Sequence, residues 1–585
     1  MNKGVVKRIL IYTSKYKSYL IGAFLFAIIS VCLTLLGPVL TGDAIDFIIG
    51  KGNVDFGGVG RLLLGLLCST AGVAVFQWLM SLCINKVSYY TVRDMRRDAY
   101  KKINSVPLSY IDSNAHGDII SRIINDIDAV GDGLLQGVTQ FFSGIITIIG
   151  TLGFMVAINF KIAIVVVFVT PLSLFVAAGI AKISAKMFSR QQQTQGEISG
   201  FVEEMIGNQK VVSSFSMEEE NEADFKKLND ELYIYGKNAQ FASSLANPST
   251  RFVNAIVYAA VGVIGAISAI RGGLTIGQIS CFLTYANQYT KPFNEVTGVI
   301  SQIQTAIAGG ARFFELIDSS NKTPDAVNAR ELDNVKGDIE FNNVCFSYSP
   351  DNPLIKNFNL KVKSGQRVAI VGPTGCGKTT LINLLMRFYD VNSGEIKIDG
   401  TPVTQLNTDS IRQSFGMVLQ DSWLYSGTIR DNIAYGREDA TDDEVVAAAK
   451  AAYAHSFIMN LPDGYNTVLA EDGANLSQGQ NQLLCIARVM LSNPPMLILD
   501  EATSSIDTLT EQRVQLAFNK MMEGKTSFVV AHRLSTIKEA DVILVMRDGN
   551  IVEQGRHDEL LAKGGFYAEL YNSQFAQAEL VPLAE

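Results

Sequence analysis

The sequence predicts a chain in two halves: an all-α transmembrane domain of six helices, followed by an α/β domain built around a P-loop. Three observations carry this reading. Six uncharged runs of about 19 to 28 residues lie before residue 310, at 18–42, 62–85, 133–160, 162–181, 252–270 and 272–290. Each is long enough to cross the hydrocarbon core of a bilayer as a helix. After that point charge rises, and short apolar strands alternate with polar helices. Within this second half, residues 367–380 read as an apolar strand, a glycine-rich turn and a helix opening at Lys378. The expected boundaries are 1–318 for the membrane domain, 319–335 for a polar linker and 336–585 for the nucleotide-binding domain.

Composition agrees with a membrane half and a polar half. Of 585 residues, 48% are apolar and only 18% are charged, against a usual quarter. A formal charge of −8 gives no support for a nucleic-acid partner. The seven cysteines (32, 68, 83, 281, 345, 376, 485) are scattered without a C-x-x-C, which implies reduced, mostly buried thiols.

In the first half, Lys3, Lys7, Arg8, Lys15 and Lys17 alternate with Val5, Val6, Ile9, Leu10 and Tyr12. That pattern predicts a short amphipathic helix on the inner membrane surface. Runs one and two, three and four, and five and six are joined by short links, Lys161 or Arg271 alone in two cases. Long charged segments, 86–132 and 182–251, separate the pairs. The first carries Lys86, Arg93, Arg96, Arg97, Lys101, Lys102 and Arg122, which places both segments and both chain ends in the cytoplasm. Polar, helix-compatible sequence in both predicts membrane helices that run well past the lipid. Residues 107–118 and 208–216 interrupt them, and either is a plain turn or a docking tip with Tyr110 or Phe215 offered to a partner surface. The sixth run is polar: Gln288, Glu295 and Gln302 share one face at seven-residue spacing. Such residues either line a cavity or hydrogen-bond between helices.

The second half carries the chemistry. Gly372, Gly377, Lys378 and Thr379 satisfy G-x-x-x-x-G-K-[ST]. Glycines there let backbone N–H groups converge on phosphate oxygens at a helix N-terminus. Pro373, Thr374, Gly375, Cys376 and Thr380 complete the phosphate-binding stretch. Lys378 is expected to reach the β- and γ-phosphates of ATP, and the Thr379 hydroxyl to bind Mg²⁺. The apolar run 496–499 ends in Asp500 and Glu501; Asp500 takes the metal role and Glu501 the general-base role. Cys376, beside Lys378 at a helix N-terminus, is expected to have a lowered pKa, so that alkylation inhibits and ATP protects.

Residues 476–480, Leu-Ser-Gln-Gly-Gln, resemble the signature of the ABC ATPases, usually L-S-G-G-Q. The rest of that family's set follows in order. Tyr348 resembles the aromatic that stacks on adenine. Gln420 resembles the glutamine that senses Mg²⁺ and the membrane domain. Residues 504–507 resemble the D-loop, His532 the switch histidine that contacts the γ-phosphate, and 471–473, more loosely, the exporter X-loop. His116, His455 and His557 have no such motif and are expected to be surface or packing residues. The whole chain resembles a half-size ABC exporter of the multidrug and lipid-flippase type.

That resemblance implies ATP sandwiched between the P-loop of one chain and Ser477, Gly479 and Gln480 of another. A dimer is therefore required, with itself or with a second half-transporter. Gln478, where the family usually has glycine, occurs in subgroups that pair two different chains. It implies ATP-driven export or flipping of an amphipathic substrate (drug, lipid or peptide) from a bacterial cell membrane by alternating access, with Glu501, His532 and Gln420 catalytic. The alternative is a regulatory or channel-type membrane protein on the same scaffold. The membrane runs exclude a soluble ABC ATPase, and an importer is disfavoured because its ATPase and membrane parts usually lie on separate chains. A peptide-processing exporter is disfavoured because no protease-like extension precedes the first run.

Overall fold

The computed structural model describes the chain except residues 1, 2, 51, 52, 327, 350, 351, 420, 421, 438, 471, 472, 474, 501–506, 532, 533 and 575–585. Side chains are additionally undescribed at 3, 49, 50, 53, 165, 169–174, 177, 178, 181, 246, 247, 293–301, 534 and 535. The chain divides into two compact units, Met1–Ser105 with Asn114–Ser320, and Val106–Ser113 with Asn321–Glu585.

The first unit is helical. α1 (Lys3–Ser14) and α2 (Lys17–Asp46) are followed by a small hairpin, β1 (Ile48–Gly50) with β2 (Asn53–Val54), and by α3 (Phe56–Ile103). α4 (Leu108–Ser113), which belongs to the second unit, precedes α5 (His116–Ile123), α6 (Asn125–Ile158), α7 (Phe160–Gly207), α8 (Gln209–Ser214), α9 (Glu218–Ser244), α10 (Ala246–Ile270) and α11 (Ile276–Asp318). The six apolar runs fall on six different helices: α2, α3, α6, α7, α10 and α11. Among the described residues, four stretches are long and apolar enough to cross a membrane: Lys17–Asp46, Phe56–Ile103, His116–Ile158 and Glu218–Ile270. α3 and α7, at 48 residues each, extend about 72 Å, more than twice the ~30 Å of hydrocarbon. The helices thus do run far beyond lipid. Both predicted interruptions are short helices, α4 and α8, and Phe215 beside α8 is 75% exposed.

Polar side chains tie the ends of this bundle together. α1 is amphipathic as expected, with Val5 and Ile9 buried. Asp94 of α3 is buried and accepts from the Tyr16 hydroxyl at 2.8 Å, with Arg93, Arg97 and Lys15 within ion-pair range. Burial acts to raise its pKa, but these partners outweigh it and hold the carboxyl below the usual range. Asp126 of α6, also buried, accepts from both Arg312 Nε (2.7 Å) and Nη2, joining α6 to α11. On the sixth-run face, Gln288 and Gln302 bury their side-chain oxygens with no hydrogen-bond donor among the described residues, while Glu295 lies outside the described side chains.

The second unit has two sheets. One is mixed and six-stranded, ordered β12-β11-β5-β10-β9-β8, from β12 (Asn550–Gly555), β11 (Val542–Arg547), β5 (Arg367–Val371), β10 (Thr526–Val530), β9 (Met496–Asp500) and β8 (Phe415–Val418). All neighbours are parallel except β11 with β12. The other is antiparallel, β4 (Ile355–Val362), β3 (Ile339–Phe346), β6 (Ser393–Ile398) and β7 (Thr401–Pro402). Val368–Val371 are buried on both sides of β5, as an interior parallel strand requires.

The segment after α11 is no free tether. The Thr408 N–H donates to Asp325 at 2.9 Å, its hydroxyl donates there too, and Arg387 Nη1 adds a third bond at 3.0 Å. Arg387, 7% exposed, also donates to the Val403 and Leu406 carbonyls. Burial opposes ionisation of Asp325, yet the Thr408 and Arg387 bonds keep its pKa below the ordinary 3.8. The resulting stabilisation is fully present above that ordinary value and is lost as pH falls through the lower folded one. Asp325→Ala is accordingly expected to cost about 2–3 kcal/mol at neutral pH. Thermal denaturation of both forms should show the difference shrinking on acidification; a constant difference would remove the charge from the explanation.

Candidate functional site

Parallel strands send their C-terminal ends to one edge of the sheet, and the loops there build the site. β5 delivers residues 372–377 to that edge, and the helix Lys378–Leu385 leaves it. Gly372, Gly375 and Gly377 take φ of 156°, 82° and 101°. A Cβ on Gly375 would meet nothing within 4 Å, so the crest of the loop is open, whereas one on Gly372 would strike the Met546 carbonyl oxygen at 2.3 Å. Lys378 Nζ lies across that loop, donating to the Gly372 carbonyl at 2.8 Å and the Pro373 carbonyl at 3.1 Å. Pro373, Thr374 and Thr379 are exposed, and Thr380 is buried. A glycine-rich turn, one ammonium and a helix N-terminus at the end of a parallel strand are the parts of a polyphosphate site.

β10 pairs with both β5 and β9, and Val530 is level with Ile370 on one side and Asp500 on the other. Asp500 therefore ends its strand at the same edge as the P-loop, two strands away. The Thr379 hydroxyl and the Asp500 carboxylate are hard oxygen donors, the kind Mg²⁺ takes. Glu501, His532 and Gln420 lie outside the described residues, as do 471 and 472 of the loop before the signature and 504–506 of the D-loop. Their flanks are placed: Glu501 follows Asp500, His532 follows the end of β10, and Gln420 follows β8.

Tyr348 is 51% exposed beside the P-loop helix. Its hydroxyl donates to Thr380 Oγ1 and accepts from Asn383 Nδ2, both at 3.2 Å. Edge contacts with Phe346 and Tyr389, at 4.9 and 5.0 Å between ring centroids, hold the ring upright. Tyr389, which sequence reasoning passed over, donates its hydroxyl to Asp112 of α4. One of the two predicted docking tips is thus hydrogen-bonded to the residue that supports the candidate adenine platform.

The signature is built as a helix start. Ser477 caps the helix Gln478–Ser492: its Oγ accepts from the Gln480 N–H at 3.3 Å, and the Gln480 side chain accepts from the Ser477 N–H at 3.0 Å. Ser477 and Gln478 are exposed, and Gly479 is buried in the first turn. This helix packs in a core with Phe457, Leu484 and Phe518. The P-loop helix packs in another, with Phe341, Phe358 and Leu381. Asp507 has a local role that its motif did not announce, capping the helix Thr508–Met522 by accepting from the Thr510 N–H.

Cys376 departs from expectation. Its thiol is 3% exposed and turned beneath the loop, where a Cβ on Gly372 would come within 2.8 Å of Sγ. Burial pushes the thiol up, and nearby Lys378 offsets this only in part. The adjacent helix terminus and lysine act on the upper face of the loop, whereas the sulfur faces the core. N-ethylmaleimide is therefore expected to modify Cys376 slowly at neutral pH in the folded chain, and faster as pH rises. Rapid, ATP-protected labelling at neutral pH would contradict the buried thiol. His455 and His557 are packing residues as expected, each bonded through Nδ1 to a tyrosine hydroxyl, Tyr465 at 2.9 Å and Tyr567 at 2.7 Å.

Known proteins share this arrangement. The family descriptions "ABC transporter transmembrane region" and "ABC transporter" match residues 20–293 and 355–504. An uncharacterised ABC transporter ATP-binding protein of Bacillus subtilis is 40% identical over 98% of this chain and 94% of its own. A fatty acid ABC transporter ATP-binding/permease protein of Mycobacterium tuberculosis is 41% identical over 89% and 82%. An ATP-dependent lipid A-core flippase of Desulfotalea psychrophila is 36% identical over 98% and 100%. Among solved structures, a bacterial Atm1-family ABC exporter with ATP bound superposes with a TM-score of 0.78 at 28% identity, over 97% of this chain and 99% of that one. With a polyphosphate cradle on one unit and long apolar helices on the other, this chain belongs to the ABC transporters: it is a multi-pass membrane ATPase of the exporter type that couples ATP hydrolysis to export.

Proposed function

We propose that the exported substrate is a lipid-like amphiphile and that the working unit is a dimer in a bacterial cell membrane, with both chain ends cytoplasmic. The glycine-rich turn at residues 372–377 with Lys378 across it, on a chain with six long helices, supports a membrane unit driven by ATP. Lys378 and the loop N–H groups hold the β- and γ-phosphates, and Tyr348 stacks on adenine. Thr379, Asp500 and Gln420 hold Mg²⁺, which supplies neutralisation of phosphate charge. Glu501 polarises the attacking water, and His532 orients the γ-phosphate.

Ser477, Gly479 and Gln480 close the site from a second chain. The separate cores under the P-loop and the signature support this, since each motif sits on its own rigid base. ATP binding draws the two ATPase domains together; α4 and the Phe215 tip carry that movement to the helices. This is a two-state switch. Residues 1–318 and 336–585 act as the membrane and ATPase domains, joined by 319–335.

A lipid-like substrate is favoured because two relatives carry fatty acid and lipid A-core in their names. Gln288 and Gln302, whose buried oxygens have no hydrogen-bond donor among the described residues, offer polar contacts on a helix that is polar along much of its length. Reconstitution in vesicles with fluorescent phospholipid or fatty acid gives the test. ATP-dependent movement of label between leaflets supports the reading; movement of a cationic drug alone would place the chain among drug exporters.

A further inference from the structure

An apolar groove of about 530 Å³ lies in the membrane unit, between α1, the start of α2, α6 and α11. Ile9 and Leu10 of α1 form one wall. The floor is the seam of α6 and α11, where Gly133 and Gly137 face Ala306 and Ile303. A Cβ on Gly133 would come within 2.3 Å of Ala306 Cβ, so glycine is what lets the helices meet closely enough to make a floor. Phe141 and Phe142 close the far end. Among the described lining residues the single polar side chain, Thr13, spends its hydroxyl on the Leu10 carbonyl at 3.0 Å. The rest of that described lining offers no side-chain hydrogen bond, so it suits hydrocarbon.

We infer that this groove holds one acyl chain of an anionic membrane phospholipid, bound along its length rather than as part of a fluid annulus. Its length fits. The α6 lining runs from Val130 to Phe142, about 18 Å of helix, close to the ~15 Å depth of one leaflet's hydrocarbon. Its position fits as well, since α1 is the amphipathic helix of the membrane surface. The charge at the rim complements an anionic headgroup. Lys7 is exposed on α1 one turn before Leu10, which is itself 57% exposed at the groove edge. The cytoplasmic leaflet is where anionic lipid meets basic segments of this kind. A chain seated here would splint α1 to the α6–α11 seam. This goes beyond the transport reading and does not depend on the substrate, though it rests on the proposed cytoplasmic placement of the chain ends.

The full chain would be placed in nanodiscs containing phosphatidylglycerol with a photoreactive group at the end of one acyl chain, and in matched discs with phosphatidylcholine. After irradiation, labelled peptides are mapped. Labelling is expected to concentrate at Phe141 and Phe142 over Phe168, which is 79% exposed on α7 and reports the general lipid belt. Leu134→Trp, which fills the groove, should reduce the Phe141 label about tenfold and leave the Phe168 label unchanged. Leu10→Trp, at the exposed rim, should do the same without burden on folding. Lys7→Glu should abolish the preference for phosphatidylglycerol over phosphatidylcholine. Equal labelling at Phe141 and Phe168, or indifference to both tryptophans, would overturn the proposal. So would efficient disulfide formation between two copies of Leu10→Cys, which would show that protein covers the groove.

Discussion

Glu501→Gln is expected to abolish steady-state ATP hydrolysis by the chain purified alone in lipid, while leaving nucleotide binding intact. The amide keeps the size of the side chain but cannot accept a proton from the attacking water, and a positioned general base contributes about 10²–10⁴-fold. The loop of residues 372–377 and Lys378 are untouched, so labelled ATP should still bind, at least as tightly as to wild type. The mutant should accumulate as a closed dimer with trapped nucleotide. Wild-type turnover lost in the mutant would establish a self-sufficient homodimer. Negligible turnover in well-folded wild type would indicate a missing partner half-chain, in keeping with Gln478 in the signature. Turnover that survives the substitution would remove Glu501 from the role assigned to it.

Gly549→Ala is expected to damage the nucleotide site from outside any motif. Gly549 sits with φ +76° in the tight turn between β11 and β12. A Cβ there would lie 1.4 Å from the Leu354 carbonyl oxygen, a backbone atom that cannot rotate aside. The Gly549 N–H also donates to the Cys376 carbonyl of the P-loop at 3.2 Å. Gly400 is the control. It occupies a matching Asp-Gly turn with φ +78°, yet a Cβ there meets nothing within 4 Å. Gly400→Ala should cost only the left-handed backbone, about 1–2 kcal/mol. Gly549→Ala adds forced displacement of packed backbone, roughly 1–3 kcal/mol more, and should weaken ATP binding as well. Thermal unfolding and ATP titration of both variants would decide this. Equal effects would mean that the turn carries no special load beneath the P-loop.

The two mutations separate what was legible from what was not. Glu501 is proposed from the sequence because a strand that ends in two carboxylates is a local pattern, as is the P-loop itself. The helical membrane domain was legible for a similar reason: burial in lipid demands an unbroken apolar run whatever the neighbours are. The sixth helix runs on past its apolar stretch to Asp318, so the face that Gln288, Glu295 and Gln302 share belongs to one continuous helix. Asp548-Gly549 and Asp399-Gly400 are the same dipeptide and neither carries a motif; which of them touches the P-loop is a matter of strand order. Tyr389 carried no motif, and its place between Tyr348 and Asp112 joins residues 277 positions apart. The direction of the Cys376 pKa was misread because the sequence supplies the charges beside a thiol and not the side of the loop on which it lies.

By itself the sequence determined the order of the two halves, the helical spans, the phosphate loop and the chemistry it implies, since each depends on residues close together in the chain. Tertiary structure alone decided how Asp325 and Arg387 anchor the linker, how the α6–α11 seam and α1 leave an acyl-shaped groove, and what lies beneath the P-loop. Those features depend on burial and close approach between distant segments, and a backbone collision or an empty groove has no period that a linear sequence can display.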